Sequence, residues 1–187
     1  RLGFGPSLQL CPGLSTPAGV LPEENVLASP AAVANFAFGQ GDLLATPMQM
    51  ASLVNCIASD GILTTPSLVE CFIDENGEKT QVAKVDGVQA LSPDIARTLQ
   101  KMMAAPLSYG TATTAMPDNG GAGGKTATAQ TGMYNKEGDP VNQSWFVGYF
   151  PYENPRYAVA VLAEDTIQGS KTTNPAFKYI ADHVKVE

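Results

Sequence analysis

The order of elements in the sequence predicts an α+β fold, with helices before and after a small antiparallel sheet. Three observations predict it. Helix-start signals stand at Thr46-Pro47 and Ser92-Pro93, well ahead of a β-rich C-terminal third. Segments 125–131, 145–150 and 157–163 then follow one another with the β-branched and alternating character of strands. The last two are separated only by residues 151–155, too short for a crossover helix, so they should lie as antiparallel neighbours.

Residues 1–35 contain Pro6, Pro12, Pro17, Pro22 and Pro30 among Gly and Ser with little periodicity, and they read as an irregular arm ahead of a single domain unit over 36–187. Thr46, Pro47 and Gln49 combine an N-cap, an N1 proline and a capping box. With Gly61 as the stop they predict a helix over 47–59, with Met50, Leu53, Val54, Ile57 and Ala58 on its apolar side. Segments 68–73 and 80–85 flank Asp74-Glu75-Asn76-Gly77, and Asn-Gly predicts a hairpin because both residues tolerate positive φ. Ser92-Pro93-Asp94 opens a second helix with Ile95, Leu99, Met102 and Met103 on one stripe, ended by Pro106 and Gly110. Asn174-Pro175 reads as the cap of a terminal helix whose Phe177, Ile180, Ala181 and Val184 form one face.

The chain has 187 residues, enough for one packed domain with an arm. Its formal net charge is −7 and its eleven Lys and Arg are scattered, which excludes an extended nucleic-acid footprint. No apolar run approaches the ~18–20 residues of a membrane span. Cys11, Cys56 and Cys71 are too far apart for a zinc knuckle and read as thiols in the core. His183 is the one histidine, so His-x-x-x-His metal sites are excluded and a Ser-His-Asp constellation is disfavoured; no metal and no cofactor are expected. The chain starts at Arg1 without a signal peptide and is taken as a piece of a longer protein.

The stretch from Gly120 to Gly132, GGAGGKTATAQTG, is the candidate site. A phosphate-binding Gly-x-x-x-x-Gly-Lys-Thr would need glycine at 119, where Asn119 stands, and a helix after Lys125, where an alternating β-branched segment follows. The other mechanism is a strand on the rim of an acyl-transfer site. There a lysine supplies positive field, threonine hydroxyls bind a substrate carboxylate, and a strand N–H points into an oxyanion hole, with small residues such as Gly124 before it to admit substrate.

Lys125-Thr126-Ala127-Thr128-Ala129-Gln130 resembles the Lys-Thr-Gly-Thr-Ala-Gln strand of the penicillin-binding protein transpeptidases. Three further segments match in order: Phe38-Gly39-Gln40-Gly41 through Thr46-Pro47-Met48-Gln49-Met50-Ala51, Tyr109-Gly110-Thr111-Ala112, and Trp145-Phe146-Val147-Gly148-Tyr149-Phe150-Pro151. Leu2-Gly3-Phe4-Gly5 extends the likeness to the first residues.

The resemblance implies a partial transpeptidase fold: three antiparallel strands of the main sheet, a small hairpin and packed helices including a C-terminal one. It also implies a reaction, in which the serine of a Ser-x-x-Lys motif attacks a D-Ala-D-Ala stem peptide to cross-link peptidoglycan, and β-lactams acylate the same serine. By the same carry-over Lys125 is the site's second lysine, Thr126 and Thr128 the carboxylate-binding hydroxyls, and the Thr128 N–H one oxyanion donor. Gly124 and Ala127 line the strand, and Ala127 replaces the family's glycine with an added methyl.

No serine of this chain has lysine three positions on, and Ser59-Asp60-Gly61 imitates Ser-x-Asn only at a helix stop. The chain is therefore expected to be the C-terminal portion of a transpeptidase domain and inactive alone, with location on the extracytoplasmic face of the bacterial membrane implied by the family. Self-association through surface the missing part would cover is a further expectation. The reading from a different class is a non-catalytic module of the same fold that senses peptidoglycan or a β-lactam, which Ala127 would suit. Asn142-Gln143-Ser144 matches a glycosylation sequon but reads as a polar turn before a strand, Asp74-Glu75 and Glu164-Asp165 read as solvated, and Tyr109 either lines the site or packs.

Overall fold

A computed structural model describes residues 2–83, 85–166 and 170–185. Regular structure in the first 35 residues begins with a short hairpin, β1 (Gln9–Cys11) with β2 (Leu14–Ser15), and a 3₁₀ turn at Val26–Ala28. Helix α1 (Pro30–Ala37) crosses the division at residue 35, capped by Ser29, whose Oγ accepts from the Ala32 N–H at 3.1 Å. Several contacts tie these residues to the domain: Gln49 Nε2 donates to the Pro6 carbonyl at 3.0 Å, the Leu68 N–H donates to the Leu10 carbonyl at 3.0 Å, and Val20 and Leu44 form an antiparallel bridge.

Helix α2 (Pro47–Ala58) starts as the capping box predicts. Thr46 Oγ1 accepts from the Gln49 N–H and Gln49 Oε1 accepts from the Thr46 N–H. Its buried side is Gln49, Ser52, Val54, Cys56 and Ile57, so Met50 and Leu53 of the predicted apolar side are only half-buried. Burial pushes the Cys56 thiol up from its ordinary range, and all three cysteines are free, Cys11 and Cys71 half-buried.

Strand β3 (Ile62–Leu63) pairs with β6 (Val88–Gln89), and β4 (Cys71–Ile73) with β5 (Lys79–Gln81). The β4–β5 hairpin is shorter than the predicted 68–73 and 80–85; within the latter range Lys84 lies outside the described residues.

Helix α3 (Pro93–Tyr109) passes through Pro106 and ends at Gly110, so the proline does not stop it. The N–H that Pro106 lacks would have served the carbonyl of Met102, whose side chain is 62% exposed, where water can serve instead. The packing stripe is also turned from the predicted one. Ala96 and Leu107 are buried and Leu99 and Met103 half-buried, while Ile95 and Met102 point outward.

The main sheet is β7 (Gly123–Tyr134), β8 (Pro140–Phe150) and β9 (Tyr157–Thr166), antiparallel in that order, as the short 151–155 connection requires. Both strands of the β7–β8 hairpin outrun their predicted limits, and the Asn142-Gln143-Ser144 segment is inside β8 rather than in a turn. Side chains alternate across β8. Phe146 and Phe150 face helix α4 (Ser170–His183), where Phe177 lies 4.4 Å from Phe146 and edge-on to Phe150 at 5.9 Å between ring centroids. Leu107, Ala112, Ala115 and Ala122 complete this core. Helix α2 packs on β8 and β9.

Helix α4 starts a turn before Asn174, which is thus not its cap. The Asn174 side chain is buried, and its Nδ2 donates to Thr114 Oγ1 at 3.0 Å and the Thr111 carbonyl at 3.4 Å, so it serves a tertiary contact rather than the helix start. Val184 lies past the helix and is 37% exposed, whereas Ile180 and Ala181 pack on the core as predicted.

Candidate functional site

Strand β7 is an edge strand: β8 pairs with one side of it, and among the described residues no strand pairs with the other. Residues 125–130 are extended and in register with β8, Lys125 opposite Val147 and Thr128 opposite Ser144. The segment that the sequence singled out is therefore a strand and not the helix a phosphate loop needs.

Two hydrogen bonds fix which backbone groups face the open edge. The Thr128 carbonyl accepts from Gln40 Nε2 at 3.3 Å, and the Thr126 carbonyl accepts from Lys125 Nζ at 2.7 Å. In a strand the N–H and C=O of one residue point the same way, and neighbours alternate. The amides of Thr126 and Thr128 thus face outward, while those of Lys125 and Ala127 face β8.

The side chains of Lys125 and Ala127 share one face and those of Thr126 and Thr128 the other, but exposure does not follow the faces: Lys125, Ala127 and Thr128 are exposed and Thr126 is half-buried. Gly124 is buried, and a Cβ there would stand 2.5 Å from Phe146 Cζ and 3.0 Å from the Val147 carbonyl; at Gly123 it would stand 2.5 Å from the Tyr149 ring. The core thus requires both glycines. Burial, with Tyr152 and Glu153 nearby, pushes the Tyr149 phenol above its ordinary range.

Two residues beside the strand received no role from the sequence. Gln40, in the Phe38-Gly39-Gln40-Gly41 segment, reaches the Thr128 carbonyl. Thr111, in the Tyr109-Gly110-Thr111-Ala112 segment, places its Oγ1 3.0 Å from Thr126 Oγ1. Each lay inside a matched motif, which was the available signal; tertiary proximity was not. Tyr109 is 82% exposed, so it does not pack. Ser59-Asp60-Gly61 is the stop of α2: Asp60 and Gly61 take φ of 51° and 90°, and Asp60 pairs with Arg97 at 3.0 Å. Among the described residues no group of three or more His, Cys, Asp or Glu could hold a metal, and no helix is long and apolar enough to cross a membrane.

Residues 13–182 match the family model of the penicillin binding protein transpeptidase domain. Penicillin-binding protein PbpB of Mycolicibacterium smegmatis is 31% identical over 165 residues, 79% of this chain and 25% of its own length. The peptidoglycan D,D-transpeptidase PbpA of the same organism is 30% identical over 82% of this chain and 32% of its own length. The chain thus spans about a quarter to a third of these relatives. Among solved structures, penicillin binding protein 3 from Mycobacterium tuberculosis complexed with aztreonam superposes with a TM-score of 0.78 at 28% identity, over 96% of this chain and 43% of that one.

Proposed function

From the premise that this chain belongs to the penicillin-binding protein transpeptidase family, we propose that it is the C-terminal portion of a serine D,D-transpeptidase and supplies the Lys125-Thr126-Ala127-Thr128 wall of its active site. The open edge of β7 carries the reading, because it presents the Thr128 amide and the threonine hydroxyls where a stem peptide or β-lactam can dock.

In the reaction, a serine supplied from outside these residues attacks the carbonyl between the two D-alanines, and the serine ester forms as the peptide C–N bond breaks and the terminal D-alanine leaves with a proton on its amine. The charge that develops on the carbonyl oxygen is stabilised by the Thr128 N–H, which already points outward and needs no reorganisation; removing one such donor typically costs ~10²–10³ in rate. Thr126 and Thr128 donate hydroxyl hydrogen bonds to the terminal carboxylate, and the Lys125 ammonium adds a positive field. Gln40, by holding the Thr128 carbonyl, steadies the peptide unit that follows the Thr128 N–H. Antibacterial β-lactams occupy the same wall, and the site faces the cell wall on the extracytoplasmic side of the membrane.

The Ala127 methyl, exposed on the strand, favours a second reading in which the site binds stem peptide or β-lactam without turnover. Labelling with a fluorescent penicillin, followed on a denaturing gel, separates the two. The full-length protein should be labelled covalently and the 187-residue chain should not. Covalent labelling of the isolated chain would overturn the assignment of the nucleophile outside it, and a full-length protein that binds penicillin only reversibly would establish the sensing module.

A further inference from the structure

We infer that Thr111 is a positioning residue for carboxylate recognition, and that its hydroxyl sets the direction of the Thr126 proton. The inference rests on the reading of β7 as the substrate wall. Thr111 Oγ1 and Thr126 Oγ1 lie 3.0 Å apart, and either could donate to the other.

A hydroxyl has one proton and two lone pairs. If Thr126 donates to Thr111, its proton is used within the protein and only lone pairs face the groove. A carboxylate is an acceptor alone, so those lone pairs repel it. If Thr111 donates, Thr126 accepts from behind and keeps its proton for the substrate. An anionic ligand therefore selects the second arrangement, and Thr111 is the group that makes it available.

The packing around Thr111 fits this role. The next residue, Ala112, is fully buried and its N–H donates to the Pro106 carbonyl at 2.9 Å. On the other side the buried Asn174 of α4 donates to the Thr111 carbonyl at 3.4 Å and to Thr114 Oγ1 at 3.0 Å. The backbone of Thr111 is thus anchored in the core through α3 and α4 while its side chain stays exposed beside β7. A hydroxyl held this way stays in place while the ligand exchanges.

The test uses the full-length protein and the second-order acylation rate constant of benzylpenicillin, which carries a carboxylate, beside that of its methyl ester, which does not. Thr111→Val keeps the shape and removes the donor. It should slow acylation by the free acid about tenfold, within the range for a hydrogen bond to a charged group, and leave the ester rate unchanged. Thr111→Ser should restore the free-acid rate. Thr126→Val should lower the same rate, and Thr111→Val added to it should cause no further loss, because the relay is already broken.

Equal free-acid rates for Thr111→Val and wild type would overturn the inference, as would an equal drop with the ester or additive losses in the double variant. A fall in the thermal midpoint of Thr111→Val that Thr111→Ser shares, without rate recovery, assigns Thr111 a structural role and also overturns it. Failure of the wild-type protein to react with benzylpenicillin at all overturns the reading of the site itself, a result distinct from the others.

Discussion

Two hairpins of this chain, β4–β5 and β7–β8, close with the same turn and come to different ends. In β4–β5 the Asp74 N–H donates to the Glu78 carbonyl at 3.1 Å, Asp74 Oδ1 accepts from the Asn76 and Glu78 N–H groups, and Gly77 takes φ of 84°. In β7–β8 the Asn135 N–H donates to the Asp139 carbonyl at 2.9 Å, Asn135 Oδ1 accepts from the Glu137 and Asp139 N–H groups, and Gly138 takes φ of 87°. Yet β4 and β5 have three residues each, whereas β7 and β8 have twelve and eleven. The turn sets the register of β4–β5 directly, whereas in β7–β8 the register shifts between Gln130 and Tyr134, ahead of the turn. Length follows burial: Phe146 and Phe150 of β8 sit against Phe177, while Phe72 and Ile73 of β4 are 52% and 62% exposed. A short Asx-closed turn is thus a local instruction that a long sheet strand obeys only when its side chains find a core.

The strongest way to break the contrast is to remove what anchors the long hairpin. Phe177→Ala should cost ~3–5 kcal/mol in chemical denaturation, because the ring is fully buried and touches both β8 phenylalanines. A loss below ~1 kcal/mol would show that burial on α4 does not distinguish the two hairpins.

Paired turn variants sharpen the contrast with a smaller effect. Asn135→Ala and Asp74→Ala each remove a side chain that accepts two backbone N–H groups. In the anchored hairpin the loss of about 1 kcal/mol should appear in global unfolding; in the exposed one it should appear as faster amide exchange at Lys79–Gln81 with little change in the global midpoint. Equal global losses would show that both hairpins unfold with the sheet.

The smallest effect concerns the link from α4 to the segment before β7. Lys178 Nζ bonds Asp118 Oδ1 and, at 2.7 Å, Asp182 Oδ2, and the Asp118 N–H donates to Asp182 Oδ1 at 2.8 Å. The hydrogen bond from Lys178 above all, with that from the Asp118 N–H, holds the Asp182 carboxyl below its ordinary value of 3.8. A depressed value means the native state binds this proton less readily than the unfolded chain, so the contribution is present above 3.8 and is lost as pH falls through the folded value. Denaturation midpoints followed down through this acid window should fall less steeply for Asp182→Asn than for the parent sequence; parallel curves would remove Asp182 from the account.

Much of this was legible in the residues. Thr46, Pro47 and Gln49 announced α2 because a capping box is local chemistry, and the three strands were visible because their period and connections are local too. The misplaced features share another cause. Pro106 looked like an end and Asn174 like a beginning, but an exposed turn tolerates the first and Thr111 and Thr114 engage the second, and neither circumstance is encoded within a few residues of its site. The same holds around the proposed wall: the motif pointed to Lys125, Thr126 and Thr128, whereas the placement of Gln40 and Thr111 beside them comes from contacts 88 and 15 residues apart in sequence.

The unpaired side of β7 has one more consequence. A strand edge without a neighbouring strand invites any extended chain to add itself, including another copy, and growth by that route ends in fibres. Lys125 stands on this rim with its ammonium resting on the Thr126 carbonyl, so a newcomer must displace a cation and sit beside it uncompensated. A segment ending in a negative charge meets no such penalty, so the cation that opposes indiscriminate strand addition discriminates in favour of an anionic chain end.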